Sequence, residues 1–138
     1  MTTALPTVGA RLPERAIGPF TGVDLAAYAE VSGDTNPLHL DPKLALAAGL
    51  AAPPVHGMLL LAAFEPALQD WRPDLGIQRL SAKFTQPVLE GEAVTLSGRV
   101  VRVGGGDKPQ ILVRLLANGA SRAPAVVGEA VLVPRDAD

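Results

Sequence analysis

The sequence predicts an α+β domain in which a curled antiparallel sheet wraps around one central helix. The second half of the chain has the pattern of successive strands separated by glycine-rich turns. In the first half, the segment Met58–Phe64 is apolar on every side. A helix without a polar side cannot lie on a protein surface, so we expect the sheet to enclose it.

The first predicted helix covers Val23–Val31. Thr21 can cap it, and Asp24 lies three residues further on, which is the spacing of a capping box. Gly33 follows the last turn, where glycine commonly ends a helix because it adopts a left-handed backbone conformation. These signals predict both the helix and its two ends.

A loop and a short helix are predicted next. Residues 33–40, GDTNPLHL, combine Gly, Asp, Asn and Pro, which is typical of a loop. Asp41-Pro42 indicates a helix start, because the aspartate can cap the helix and proline suits the first helical position. We expect this helix to end near Ala48, before Gly49.

The central helix is predicted over His56–Trp71. Pro66 lies well past the first turn of that helix, where proline removes a hydrogen bond and bends the backbone. We therefore expect a kink or an early end near Phe64.

Four strands are predicted in the second half, because runs of alternating apolar residues are separated by turn signals. The turns are expected at Glu90-Gly91, Gly104–Asp107 and Asn118-Gly119. A further strand is predicted near Glu14–Phe20. The four strands are placed at Ile77–Val88, Glu92–Val103, Gln110–Ala117 and Ala125–Val133.

Composition limits the function classes. The 138 residues are 48% hydrophobic, which is enough for a hydrophobic core and predicts a single domain over 1–138. The two ends, 1–9 and 134–138, are polar or contain proline, and we expect them to be flexible. The net charge is −2 and no long Lys/Arg run exists, which argues against nucleic-acid binding. Cysteine is absent, so disulfides and thiolate chemistry are excluded.

No stretch approaches the roughly 20 apolar residues of a membrane span, and the start of the chain lacks the pattern of a signal peptide. We therefore expect no membrane partner and a cytoplasmic location.

Polar residues with catalytic potential gather in the predicted loop. Asp34, Asn36, His39 and Asp41 fall within eight positions, and the second histidine, His56, lies in another loop beside the apolar helix. A purely structural interpretation stays open, because Asp and Asn are common loop formers and Asp41 can serve as a helix cap. His39 is harder to explain in that way, because it lies between two leucines that should point inward.

The motif Gly33-Asp34-x-Asn36-Pro37-Leu38-His39-x-Asp41, followed by Val55-His56-Gly57-Met58, resembles the hydratase motif of the MaoC-like dehydratases, the (R)-specific enoyl-CoA hydratases. The similarity extends to Lys83-Phe84-x-x-Pro87-Val88, Gly91-Glu92 and Gly128–Val131. The resemblance implies a single hot-dog fold. It also implies reversible hydration of trans-2-enoyl-CoA to (R)-3-hydroxyacyl-CoA without a cofactor.

The resemblance also implies roles for individual residues. Asp34 and His39 would hold and deprotonate the attacking water; Asp34 is the favoured base, although which of the two takes the proton stays open. The N–H of Gly57, at the start of the central helix, would stabilise the thioester oxygen. Asn36 would support the loop.

Two further residues complete the predicted site. His56, as a cap or loop anchor, and Met58 are predicted to bind substrate or to support the residues that do. Ligand types alone would allow a metal site from Asp34, His39, Asp41 and His56. We expect no metal, because Asp41 is better explained as a helix cap.

Three other functions stay open. The first is dehydration of a 3-hydroxyacyl group on acyl carrier protein, which is the same chemistry in reverse. A hot-dog thioesterase would need a carboxylate on the central helix, and Glu65 is the one candidate, at a position where some hydratases of the family carry a serine. A non-catalytic partner subunit is the third, but the intact Asp34 and His39 pair argues against it.

The predicted partners are an acyl-CoA or acyl-carrier-protein thioester and a second copy of the chain. A sheet that wraps one helix leaves an open edge, and hot-dog relatives pair two such edges, so we expect a homodimer. Several basic residues could contact the substrate phosphates, although none stands in a motif. They are Arg79, Lys83, Arg99, Arg102 and Lys108.

Overall fold

The structure is a computed structural model that describes residues 4–136. One strand, four α-helices and four further strands follow one another along this part of the chain, with a short 3-10 turn at Pro37–His39 between the first two helices. The elements are β1 Arg11–Ile17, α1 Gly22–Ser32, α2 Pro42–Ala47, α3 Gly57–Ala62, α4 Phe64–Trp71, β2 Leu75–Phe84, β3 Val94–Val103, β4 Ile111–Asn118 and β5 Val126–Pro134.

Helix α1 has the predicted caps at both ends. The Thr21 hydroxyl accepts a hydrogen bond from the Asp24 N–H at 3.2 Å, and the Asp24 carboxylate accepts one from the Thr21 N–H at 2.9 Å. Gly33 ends the helix with a φ of 80°, a left-handed conformation that favours glycine. Leu25 and Ala29 are buried, so one side of α1 packs against the core.

Helix α2 also begins as predicted. The Asp41 carboxylate accepts a hydrogen bond from the Lys43 N–H at 2.9 Å, and Pro42 is the first helical residue. Asp41 is therefore a helix cap, and its cap bond ties it to α2.

The central helix is broken, as Pro66 predicted. The break lies at Ala63, between α3 and α4, which places Pro66 in the first turn of α4, where its missing N–H costs little. Leu60 and Phe64 are buried, but Met58 is 58% exposed. Ala62, one turn further on, is also exposed, so the expectation that Met58–Phe64 is enclosed on every side is wrong for these two residues, because the sheet covers only one side of α3.

The strands form one antiparallel sheet in the order β1-β3-β4-β5-β2. The strand predicted to run to Val88 is too long, because β2 ends at Phe84. Pro87 has no N–H to continue the ladder, and Leu89 pairs with Pro54 in an isolated bridge. Strand β1 also begins earlier than predicted, at Arg11.

One side of the curled sheet packs on α3, α4 and α1 to form the core. Alternate strand residues point inward, as the period of a strand requires. The largest buried side chains include Leu25, Phe64, Leu68, Leu75, Leu96, Ile111, Leu115 and Leu132.

The ends of the described chain are paired. The Gly9 N–H donates to the Val100 carbonyl at 2.8 Å, Pro134 belongs to β5, and the Arg135 N–H donates to the Asp74 carbonyl at 3.0 Å. Of the ends that the sequence predicts to be flexible, 1–9 and 134–138, residues 1–3 and 137–138 lie outside the described residues, and their flexibility stays a prediction. Within residues 4–136, no helix is long and apolar enough to cross a lipid bilayer.

Candidate active site

Asp34 and His39 come together in the loop between α1 and α2. His39 Nε2 lies 3.7 Å from Asp34 Oδ2. The other ring nitrogen, Nδ1, lies 2.8 Å from the Pro54 carbonyl oxygen. Because a carbonyl can only accept, Nδ1 carries the proton, and Nε2 directs a lone pair toward the carboxylate.

Local hydrogen bonds fold this loop back on itself. The Asn36 side-chain oxygen accepts from the Leu38 N–H at 3.1 Å and so caps the turn that contains His39. The Asp34 N–H donates to the Ser32 hydroxyl at 3.1 Å, and Asp34 Oδ1 accepts a longer bond of 3.4 Å from the Asn36 N–H. Asn36 therefore lies where a loop-supporting residue was predicted.

The carbonyl that orients His39 is itself fixed by the strands. Pro54 pairs with Leu89 in a β-bridge, and the Val55 N–H donates to the Val88 carbonyl at 2.7 Å. These bonds hold the segment before α3 against the segment that follows β2. The position of the His39 ring therefore depends on contacts made far away in sequence.

His56 contacts both members of the predicted catalytic pair. Its side chain is 1% exposed, and its ring stacks on His39 at a centroid distance of 3.9 Å and an angle of 21°. Its Nε2 donates to the backbone carbonyl of Asp34 at 3.2 Å, while Nδ1 has no hydrogen-bond partner within residues 4–136. The edge of Tyr28 packs against the same ring at 4.9 Å.

His56 is thus a loop anchor. It occupies the position before α3, but its side chain makes no capping bond to that helix. A single ring contacts both members of the predicted catalytic pair, through the backbone of Asp34 and the imidazole of His39. Its geometry supports a positioning function for His56.

Burial lowers the pKa of His56 below its usual value near 6.5, although the hydrogen bond to Asp34 opposes the shift. As the pH falls, His56 therefore becomes protonated in the unfolded chain at a higher pH than in the folded chain. The neutral ring stabilises the fold fully above pH 6.5, and the contribution is lost as the pH falls from 6.5 through the folded-state pKa.

We expect the thermal midpoint of the wild type to fall more steeply between pH 7 and pH 5 than that of His56→Gln, measured by circular dichroism. Equal slopes would contradict this prediction.

Gly57 lies at the mouth of a cavity of about 280 Å³. The ring of Phe84 covers the glycine so closely that a methyl group added there would lie 3.0 Å from it. Of the three predicted catalytic residues, Gly57 lines this cavity, whereas Asp34 and His39 do not. The lining residues are Val55, Gly57, Leu60, Phe84, Thr85, Gln86, Pro87, Val88 and Ala125.

Two residues considered in the sequence do not join this group. Met58 is 58% exposed on the outer side of α3 and does not line the cavity, so its predicted contact with substrate has no support in the structure. Glu65 is exposed on α4 and also lies outside the cavity lining. A solvated side chain after the helix break accounts for Glu65.

Asp34, His39 and His56 each place one donor atom within 4.8 Å of the others. An imidazole donates its lone pair in the plane of the ring. Because the two rings are stacked with an angle of 21°, their lone pairs lie in two nearly parallel planes and do not meet at one ion. The donor set therefore fits a metal ion poorly, and the absence of a metal stays our prediction.

Sequence reasoning missed three neighbours of the site: Pro54, Tyr28 and Phe84. Pro54 contributes only its backbone, which no residue type reveals. Tyr28 lies on α1, far from the loop motif in sequence. Phe84 belongs to a segment that the sequence comparison with hydratases had included, but its contact with Gly57 depends on where β2 ends.

A family model described as "MaoC like domain" matches residues 6–119. The (R)-specific enoyl-CoA hydratase of Aeromonas caviae is 39% identical over 127 residues, which cover 89% of this chain and 90% of that protein. A mitochondrial 3-hydroxyacyl-[acyl-carrier-protein] dehydratase of Arabidopsis thaliana is 40% identical over 75 residues, covering 54% of this chain and 45% of that protein.

Solved structures agree with these sequence comparisons. The (R)-hydratase from A. caviae involved in PHA biosynthesis superimposes with a TM-score of 0.84 at 33% identity, covering 94% of this chain and 98% of that one. The R-hydratase PhaJ1 from Pseudomonas aeruginosa, in its unliganded form, gives 0.78 at 26% identity, with coverages of 95% and 84%. The predicted hot-dog fold is confirmed.

Proposed function

Since the chain belongs to the MaoC-like domain family, we propose that it is a hydro-lyase that adds water reversibly to trans-2-enoyl-CoA and forms (R)-3-hydroxyacyl-CoA. The family supplies the reaction class, and the similarity to the A. caviae hydratase extends over nearly the whole of both chains. The proposal for this chain's own residues rests on the geometry of Asp34, His39 and Gly57.

The observation that supports the mechanism best is the separation of two acceptors. His39 Nε2 and Asp34 Oδ2 both offer lone pairs, and at 3.7 Å they are too far apart for a direct hydrogen bond. A water about 2.8 Å from each atom would donate one O–H to the carboxylate and the other to the imidazole. Its oxygen lone pairs would then be directed away from both groups, toward a substrate.

The reaction balances with these groups. The water oxygen bonds to carbon 3 of the enoyl thioester while Asp34 takes one of its protons, and the electrons of the double bond move toward the thioester oxygen. A proton delivered to carbon 2 completes the product, with His39 as the relay between Asp34 and the substrate.

The thioester oxygen gains negative charge as the enolate forms, and we assign its stabilisation to Gly57. The first N–H groups of a helix have no acceptor within the helix. Gly57 begins α3 and lines the cavity, so its N–H can donate there without a side chain in the way.

Gly57→Ala should lower kcat by about 10- to 100-fold, less than the 100- to 1000-fold loss from deleting an oxyanion donor, because the N–H remains. The added methyl group would lie 3.0 Å from the Phe84 ring and force that ring to move over the cavity. The control is the same substitution in a Phe84→Ala background, where the added methyl group should lower the steady-state kcat by a smaller factor. An equal loss in both backgrounds would contradict this explanation.

The alternative function is dehydration of a 3-hydroxyacyl ester of acyl carrier protein, and the similarity to the Arabidopsis dehydratase supports this alternative. The thioesterase alternative loses support, because Glu65 is exposed and away from the cavity. Relative kcat/KM on crotonyl-CoA and on the crotonyl ester of an acyl carrier protein would discriminate between the first two functions.

Loss of absorbance of the conjugated enoyl thioester, measured with crotonyl-CoA and longer homologues, tests the proposed function. We expect turnover and an (R)-3-hydroxyacyl product by chiral chromatography. An (S) product, or release of free thiol without hydration, would overturn the proposal.

We also propose a homodimer formed along β2, which is the edge strand nearest the cavity. Its ten residues offer a long unpaired edge, and edge strands are commonly covered by pairing. Sedimentation at micromolar concentration should give twice the 14.2 kDa of one chain. A cytoplasmic location stays a prediction from the sequence.

A further inference from the structure

A row of four charged residues and one serine crosses the outer side of the sheet. The strand register places the members of this row directly opposite one another on adjacent strands, and residues so paired point to the same side. Their neighbours along the strands, such as Leu12, Val100 and Val113, are buried, so the row faces away from the core. Its members are Arg11, Arg99, Arg114, Glu129 and Ser81.

A groove of about 680 Å³ lies over the part of this row on β4, β5 and β2. Its volume is within the range of sites for small ligands. A second depression of about 300 Å³ shares Arg114 and Leu116 with it and adds Arg11 and Arg99. The groove is lined by Ser81, Ala82, Lys83, Arg114, Leu116, Val127, Gly128 and Glu129.

Within residues 4–136, the cations of this surface form no ion pair, although Glu129 lies opposite Arg114 on the neighbouring strand. No ion pair or side-chain hydrogen bond in that part of the chain involves Lys83, Arg99 or Arg114. Arg99 and Arg114 are directly opposite each other, and like charges in that position destabilise a sheet. A bound anion would relieve the repulsion and use the donors of both side chains.

The groove and the cavity at Gly57 meet at one end of the β2–β5 pair. Lys83 lines the groove, and the next residue, Phe84, lines the cavity. On the neighbouring strand, Val127 lines the groove and Ala125 lines the cavity. A ligand long enough to pass around this end would occupy both spaces.

Building on the proposed function, we propose that this groove binds the 3′-phosphorylated adenine nucleotide end of an acyl-CoA whose thioester lies at Gly57. Arg114 and Lys83 would bind the phosphates. Leu116 and Val127 supply an apolar surface for the purine ring, and the Glu129 carboxylate can accept from its exocyclic amino group. A carboxylate repels phosphate, so Glu129 adds nothing to a site for phosphate alone, whereas it can accept a hydrogen bond from the neutral amino group of a purine.

Two substrates separate this proposal from the proposed function. Crotonyl-CoA carries the nucleotide, whereas crotonyl-N-acetylcysteamine carries only the thioester end. In the double variant Lys83→Gln/Arg114→Gln, KM for crotonyl-CoA should rise about tenfold or more, the scale of losing charged hydrogen bonds at an exposed site. The kcat on both esters, and KM for the small ester, should stay unchanged.

Arg79→Gln is the matched control, because Arg79 is an exposed cation on β2 that does not line the groove. Its KM values should equal those of the wild type. An unchanged KM for crotonyl-CoA in the double variant, or an equal rise for both esters, would overturn the proposal.

Calorimetry with 3′,5′-ADP tests the groove without turnover. We expect binding to the wild type and to Arg79→Gln, and its loss in the double variant. Lack of binding to the wild type would overturn the proposal, whereas failure of the wild type to hydrate either ester would count against the proposed function alone.

Discussion

Replacing Asp34 with asparagine should lower kcat by about 100-fold or more, the usual size of acid–base effects. The amide keeps the shape of the side chain. Asp34 Oδ1 accepts a hydrogen bond from the Asn36 N–H at 3.4 Å, and the amide oxygen of asparagine can accept the same bond. It cannot take a proton from water at neutral pH. The loss should therefore fall on kcat, with KM and the circular dichroism spectrum close to those of the wild type.

Asp41→Asn is the control for this experiment, because it makes the same chemical change seven residues along the chain. Asp41 caps α2 through the Lys43 N–H, and asparagine caps helices as well as aspartate does. We expect normal turnover in this variant. Normal turnover in Asp34→Asn would remove the carboxylate from the mechanism, and a large loss in Asp41→Asn would indicate that the loop, and not the base, is being disturbed.

Much of the fold could be predicted because its signals are local. The capping box of Thr21 and Asp24, the Asp41-Pro42 start and the Pro66 break each depend on residues a few positions apart. The errors come from tertiary contacts. Alternation alone extends β2 beyond Phe84, whereas the structure turns Leu89 toward Pro54.

The site divides in the same way. The short spacing of the motif predicts that Asp34 and His39 lie close together, and the structure places them 3.7 Å apart. The tautomer of His39 could not be predicted, because it depends on the Pro54 carbonyl, which the bridge to Leu89 after β2 holds in place. The stacking of His56 on His39 likewise joins residues from two separate loops.

The charge of the outer surface shows why a sequence average can mislead. The chain is acidic overall, with a net charge of −2, yet the register of β1, β3 and β4 places three arginines side by side. Composition hides this cluster, because the arginines are separated in sequence by up to about a hundred positions. Only the pairing of strands reveals that Arg114 shares a groove with Lys83.

His39→Gln should also lower kcat by about 100-fold or more. Glutamine can hold a water by a hydrogen bond, but it cannot relay a proton. The stacking on His56 is lost as well, so thermal unfolding of this variant should be measured beside kcat. A variant that keeps its thermal midpoint but loses turnover would show that the imidazole acts in the chemistry, whereas full turnover would exclude it.

The double variant Asp34→Asn/His39→Gln gives the sharper test. If the two groups contributed independently to the same transition state, their losses would multiply to about 10,000-fold, because independent effects add in free energy. If they share one water at 3.7 Å, removing either disables the same event, and the double variant should be little slower than either single one. Rates of the four proteins on crotonyl-CoA under single-turnover conditions measure this coupling. Multiplicative losses would mean that the carboxylate and the imidazole do not hold a common water, despite their separation in the structure.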